Sequence, residues 1–262
     1  MKPTVRNIVI IALLVAIVAT FHIVRRNATM RGIEIRIVPA AGATLLTAGD
    51  VDSLILDAFP RLPETDIKAV DPRAVEAMLE AHPYVLKADA SMSTGGKLLV
   101  EVEPRVPVVR MFYQGNEFYI SRQGTCMPLA AGHYCHVLVG SSDWEEPLLE
   151  HPTRINLSDT SDHRQPASLL KIWTLASFLH DNVRYNEVFD QVYVGNRGDL
   201  YLVPKLGAVT IEVGDTTALA TKFENLWAFF DQGINQVGWD TYSSISLKYN
   251  GQVVCTRKEQ QQ

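Results

Sequence analysis

Cysteine is scarce in this chain, and positive charge is not in excess. Only Cys126, Cys135 and Cys255 occur among 262 residues. So few thiols, and an odd number of them, build neither a disulfide framework nor a regular zinc frame. Lys and Arg number 24 against 29 Asp and Glu, a net charge of −5. A general nucleic-acid binder needs a basic face to neutralise phosphates, so that class falls away. There is no Gly-rich phosphate loop, no G-x-S-x-G and no H-E-x-x-H. What remains is 47% hydrophobic and 20% charged, with nine Tyr, nine Phe and four Trp. That composition excludes wholesale disorder, and the length allows two compact domains or fewer.

Charge is also missing locally. Ile8 to Val24 holds no Lys, Arg, Asp or Glu and no Gly or Pro over 17 residues. As a helix it spans roughly 26 Å, close to the hydrocarbon thickness of a bilayer. A transmembrane anchor over residues 8–24 is the expected reading. A cleaved signal peptide would want small residues at a cleavage site, yet the run ends in Thr20-Phe21-His22-Ile23-Val24 before Arg25-Arg26. A buried soluble helix would show a polar face. Lys2 and Arg6 precede the run and Arg25, Arg26 and Arg31 follow it, so flanking charge does not choose a side. Residues 1–7 are then a short tail, 25–31 a basic linker, and all folded function lies beyond.

Residues 32–111 read as one unit in the order β-α-α-β-β. Ile33 to Val38 alternates apolar and polar, a half-buried strand. Thr47 with Asp50 makes a near capping box before Val51, Leu54, Ile55 and Ala58 at helical spacing. Asp71-Pro72 opens a second amphipathic helix that ends before His82-Pro83. Val85 to Met92 and Leu98 to Val102 are strands joined through Thr94-Gly95-Gly96. Residues 112–256 read as a mostly antiparallel β domain with two helices, Ser168 to His180 and Ala218 to Asp231. Thr216 or Thr217 is the expected cap of the latter. Strands are expected at 188–194, 199–204, 209–213, 244–249 and 252–256. Asn250-Gly251 between the last two predicts a type I′ hairpin turn. Residues 257–262 are a polar tail.

Several short motifs, in order, resemble the FtsQ (DivIB) family of bacterial cell division proteins. They are His82-Pro83-Tyr84-Val85 with Lys87-Ala88-Asp89-Ala90, and Leu99 to Val102 followed by Glu103-Pro104-Arg105-Val106-Pro107. Further on come Phe118-Tyr119-Ile120-Ser121 to Gly124, Cys126-Met127-Pro128-Leu129, Gly207 to Gly214 with Lys222-Phe223, and Ile245-Ser246-Leu247-Lys248-Tyr249. The pattern departs from the family in one extra residue between Glu103 and Arg105, and in Ser121 and Ser246 where Asp is usual. The resemblance implies an α+β chain with a single transmembrane helix, a POTRA domain over 32–111 and a β domain over 112–256. It implies an inner-membrane protein with its bulk in the periplasm at the division septum. There it would bind FtsB and FtsL, with no cofactor and no catalysis.

The final strand is where such binding is expected. A last strand after a hairpin often lies at a sheet edge, and an open edge takes up an extended partner segment. Carried over from the family, Tyr249, Val253, Val254 and Cys255 are the candidate contacts. Alternation along the strand requires one face of that set to pack inward. Two other readings compete. A POTRA chaperone of outer-membrane export usually carries tandem repeats or a barrel of alternating strands, and neither is present. A membrane-anchored hydrolase would use Cys135 and a His. Cys126, His133, Cys135 and His136 form the densest polar cluster, yet adjacent strand residues point to opposite faces, which argues against a metal there. A Cys126–Cys135 disulfide is open as well. Asp159, Asp162 and His163 read as a solvated loop.

Overall fold

A computed structural model describes residues 12–16, 30–40, 45–66, 69–129, 132, 134–159, 161, 165–234, 238 and 241–258. Most of the expected 8–24 anchor lies outside these residues. Within it residues 12–16 are helical, with Leu13, Leu14 and Val15 exposed. Among the described residues no helix is long and apolar enough to cross a membrane. The remainder divides after Pro104 into two compact units.

The first unit is built on a three-stranded sheet. β1 (Gly32–Ile37), β2 (Val85–Met92) and β3 (Lys97–Pro104) lie in the order β1-β3-β2. β1 runs parallel to β3, and β2 antiparallel to it. Two helices precede β2. In α1 (Ala48–Ala58) the Thr47 side chain accepts from the Asp50 N–H, and Asp50 accepts from the Thr47 N–H, so the capping box closes. In α2 (Pro72–Glu80) Asp71 accepts from the Arg73 N–H, and Pro72 occupies a position that needs no N–H. Val51 and Ile55 of α1, Val75 and Leu79 of α2, and Leu98, Val100 and Val102 of β3 are buried. Alternation in β3 therefore faces one side of the strand to the helices. At the outer side of β2, the Ala90 N–H donates to Glu76 Oε1 (2.7 Å) and the Ala88 N–H to Glu80 Oε1 (3.3 Å).

The second unit carries nine strands in one sheet. They are β4 (Pro107–Tyr113), β5 (Asn116–Ser121), β6 (Cys126–Met127), β7 (Leu138–Ser142), β8 (Phe189–Val194), β9 (Leu200–Pro204), β10 (Thr210–Gly214), β11 (Tyr242–Ser246) and β12 (Val254–Arg257). The order is β12-β11-β10-β9-β8-β7-β4-β5-β6. β4 thus follows the first unit's last strand directly in sequence yet pairs with β5 and β7. Antiparallel pairing predominates, as expected, but three joins are parallel: β4 with β7, β7 with β8, and β10 with β11. For two of the three the reason is a helix. α3 (Ala167–Asp181) lies between β7 and β8, and α4 (Leu219–Phe229) between β10 and β11, and such crossovers return the chain in the same direction. Leu169, Ile172, Leu175, Phe223 and Leu226 of the two helices join Val109, Met111, Val192, Leu202 and Ile211 of the strands in one core. Gly140 on β7 is required by this packing. A Cβ there would overlap Met111 Sδ and meet Ile172 at 3.3 Å.

Two local expectations fail. Neither Thr216 nor Thr217 caps α4. The N-cap is Ala218, in the left-handed region at φ 48°, with no side-chain cap bond. The Thr217 N–H and hydroxyl both donate to Asp215 Oδ1, and this turn draws Thr217 away from the helix end. Nor do β11 and β12 meet in a two-residue type I′ turn. Their pairing stops at Ser246 with Val254, leaving seven residues between. The Leu247 N–H donates instead to the Glu212 carbonyl on β10. The Gln252 N–H donates to the Tyr249 carbonyl, and of the two residues within that turn only Gly251 has positive φ, at 70°. That is the type II requirement, whereas type I′ needs both. α4 itself runs on into a π turn over Phe230–Ile234.

Candidate functional site

The two margins of the larger sheet differ. β6 has two residues, and the Cys126 N–H donates to the Ile155 carbonyl while Thr125 bridges Asn156. That margin is short and covered. β12 is the other margin, and its pairing shows which groups it leaves outward. Tyr242 faces Arg257, Ser244 faces Thr256, Ile245 faces Cys255 and Ser246 faces Val254, with a bulge at Ser243. The Lys258 N–H donates to the Thr241 carbonyl, and the Ser243 hydroxyl to the Thr256 carbonyl. Residues 258 and 256 therefore turn their backbone groups toward β11. Along an antiparallel strand these directions alternate, so Val254 also faces β11. The N–H and C=O of Cys255 and Arg257 point away from the sheet.

Side chains alternate in the other dimension. Val253 and Cys255 are half-buried and pack against the core formed with the helices. Val254 stands on the opposite face, 42% exposed. Tyr249 precedes the strand in the loop and is 58% exposed. The four candidate residues thus lie together along one margin, with two side chains turned outward and two inward.

Sequence reasoning missed what shapes the loop before β12. Lys248 Nζ donates to Asp199 Oδ2 (2.8 Å) and lies 3.5 Å from Glu212 Oε1, tying the loop to β10 and to the turn before β9. The hydrogen bond to Asp199 raises the Lys248 pKa above its ordinary value. Gly214 makes room for that stem. Its φ is 79°, and a Cβ would come 2.5 Å from Lys248 Cγ. Between the loop and the first turn of α4 is a hollow of about 260 Å³ bounded by Thr217, Thr221, Asn225, Tyr249 and Gln252. On its helix side Lys222 Nζ donates to Asp215 Oδ1 (2.6 Å). That bond, aided by the Thr217 hydroxyl, holds the Asp215 carboxyl at about 2. An Asp before a helix with a Lys seven residues on is a weak signal in sequence, because only the folded turn brings the two together.

The thiols read differently. Cys126, Cys135 and Cys255 are all free. Burial pushes Cys126 up to about 12 and raises Cys135 and Cys255 as well. A nucleophilic or metal-binding thiol needs the reverse shift. His133, Asp162 and His163 lie outside the described residues, among which no group of three or more His, Cys, Asp or Glu could hold a metal. The Asp159 carboxylate accepts from the N–H and hydroxyl of Ser161.

No curated protein matches this sequence. A family model does: residues 106–256 match FtsQ/DivIB, C-terminal related.

Proposed function

Because the chain belongs to the FtsQ/DivIB, C-terminal related family, a family of cell division proteins, we propose that it is a divisome scaffold working through the β12 margin. In this reading residues 8–24 form a single-pass anchor in the inner membrane. The folded units, a POTRA domain that ends at Pro104 rather than residue 111 because β4 pairs within the larger sheet, and a β domain beyond it, stand in the periplasm at the septum. An extended segment of an FtsB-like partner, arriving with FtsL, adds a strand beside β12. The scaffold would so connect early septal proteins to septal peptidoglycan synthesis, by positioning and without turnover.

The observation that carries this reading is the side of β12 that no strand fills among the described residues. Cys255 and Arg257 offer N–H and C=O groups to a tenth strand, and main-chain bonds supply the hold. Choice of partner falls to the side chains beside them, Val254 on the open face and Tyr249 at the mouth of the hollow. An aromatic ring of this kind contributes contact area at little entropic cost. The apolar side chains exposed on the helical turn at 12–16 support an anchor, since such groups in water are unfavourable.

The test uses the full chain in neutral detergent and the periplasmic segments of FtsB and FtsL from the same organism. Arg257→Pro removes an outward N–H and leaves the ladder to β11 unbroken. Binding by the wild type, lost with Arg257→Pro and weakened about tenfold or more with Tyr249→Ala, is the expected result. Circular dichroism should be unchanged in both variants. A wild-type chain that is folded and does not bind overturns the partner assignment. Equal binding by Arg257→Pro overturns strand addition at β12.

A further inference from the structure

The smaller sheet has a margin of its own in β2, and this margin is shut. Eight residues long, β2 is bonded among the described residues to β3 on one side only. A strand of that length with free backbone groups is a template for another chain. Two of its outward N–H groups are already taken, Ala90 by Glu76 and Ala88 by Glu80. The two carboxylates are four residues apart on α2, one turn, so the helix sets both against alternate residues of the strand. A solvated helix face would not aim two successive carboxylates at one strand.

The strand beneath them complements itself. The outward backbone groups belong to the even-numbered residues 88 and 90, as the two carboxylate bonds show. Antiparallel pairing with a second copy about a two-fold axis at Ala88 sets Ala88 against Ala88, a hydrogen-bonding position on both strands, while residue 86 lies in the bulge between Val85 and Lys87 and adds no regular pair. The same register sets Lys87 of each copy against Asp89 of the other, twice. Lys87 and Asp89 lie 3.6 Å apart within one chain, both largely exposed on the face away from the helices. Directly opposed, non-hydrogen-bonded pairs come closest of all cross-strand neighbours, and opposite charges there are favourable. The axis also brings Glu76 and Glu80 of each copy toward those of the other, like charge against like.

We propose that the β2 margin is a self-association surface for a second copy of this chain, held closed by Glu76 and Glu80. The surface lies in the first unit and is independent of the reading of β12. Removing the two carboxylates frees the Ala88 and Ala90 N–H groups and removes the repulsion across the axis. The pairing that follows joins two three-stranded sheets into one of six.

Sedimentation velocity of the full chain in neutral detergent tests this. The wild type and Glu76→Gln/Glu80→Gln, whose amide oxygens still accept from the strand, are expected as monomers. Glu76→Ala/Glu80→Ala is expected as a dimer. Adding Lys87→Glu to it places like charges opposite each other and is expected to return the monomer. Adding Lys87→Glu with Asp89→Lys restores opposite charges and is expected to return the dimer. A folded Glu76→Ala/Glu80→Ala chain that stays monomeric overturns the proposal. So does a dimer indifferent to Lys87→Glu, which would run through another surface, and so does a wild type that already pairs through β2. Should the double change fold poorly, Glu76→Ala alone breaks the shorter bond and is judged by the same charge swap.

Discussion

The sheets of the two units each end in a strand with one unpaired side, and the two ends are finished in opposite ways. β2 is eight residues long, and its outward N–H groups at Ala88 and Ala90 are occupied by carboxylates from the helix above. β12 is four residues long, and its outward groups at Cys255 and Arg257 meet no further strand among the described residues. The longer strand is the greater hazard, because it offers more bonds to any passing chain. It is the one with the guard. The comparison teaches that an open edge is a choice made strand by strand, and that the exception marks the place to look for a partner.

The sharpest way to break this comparison is proline, since its effect depends on which way an N–H points. Val254→Pro removes a bond to β11 and is expected to lower the second unit's stability by about 2–3 kcal/mol. Arg257→Pro removes only an outward donor and is expected to cost under about 1 kcal/mol. All four tryptophans, Trp144, Trp173, Trp227 and Trp239, follow residue 105, so tryptophan fluorescence in urea reads this unit alone. A larger loss with Arg257→Pro than with Val254→Pro would show that the strand's inner and outer sides are assigned the wrong way round, and equal losses would remove the distinction.

A smaller effect is expected at β2. Glu76→Ala deprives Ala90 of a charge-assisted acceptor that water partly replaces, a loss of about 1 kcal/mol. Glu80→Ala, with the longer bond, should cost less. Hydrogen exchange at the Ala90 amide should quicken with the first change and hold with the second. Unchanged exchange in Glu76→Ala would remove the guard from the comparison.

Acid should separate the units most gently. Burial holds the His82 imidazole below its ordinary value of 6.5, against the opposing pull of Asp50. The unfolded chain therefore takes up that proton first. Its contribution to the first unit's stability is full above about pH 6.5 and declines as pH falls through the lowered folded value. His82→Asn should flatten the decline. In the second unit Asp215 has the depressed carboxyl, so its contribution is full above about pH 4 and is lost toward pH 2. Asp215 is largely exposed, and the effect is small. Melting temperatures across pH 7 to 2.5 for the wild type, His82→Asn and Asp215→Asn check both windows. A first unit indifferent to pH between 7 and 5 would contradict the role given to His82.

Much of the fold was legible because it is local. The alternation of Val85 to Met92, the Thr47–Asp50 box and the Asp71-Pro72 start are short-range signals, and each forms as the sequence implies. The parallel joins were not legible, since nothing in Leu138–Ser142 or Tyr242–Ser246 says which distant strand it will meet. The hairpin turn failed for a related reason. Asn250-Gly251 favours a tight turn, but β10 captures the Leu247 N–H and the strands part early. At the site, the position of the last strand as a sheet margin was legible, and one alternation face of it, Val253 and Cys255, packs inward. Glu76 and Glu80 look like any solvated helix face in a linear reading. Their role appears only where α2 lies along β2.

The three parallel joins of the larger sheet bear on how fast it can assemble. β7 reaches β4 past the β5–β6 hairpin, β8 reaches β7 across α3, and β11 reaches β10 across α4. Each join must close a long loop before it returns any bonding energy, and that entropy loss slows the search. The β11–β12 ribbon is a local contact and can form early. Until α4 docks, however, Ile245 and Leu247 have no core to enter and the ribbon has two bare sides. The same ribbon that ends at the margin of the sheet is thus, during folding, the segment most in need of shielding from its neighbours.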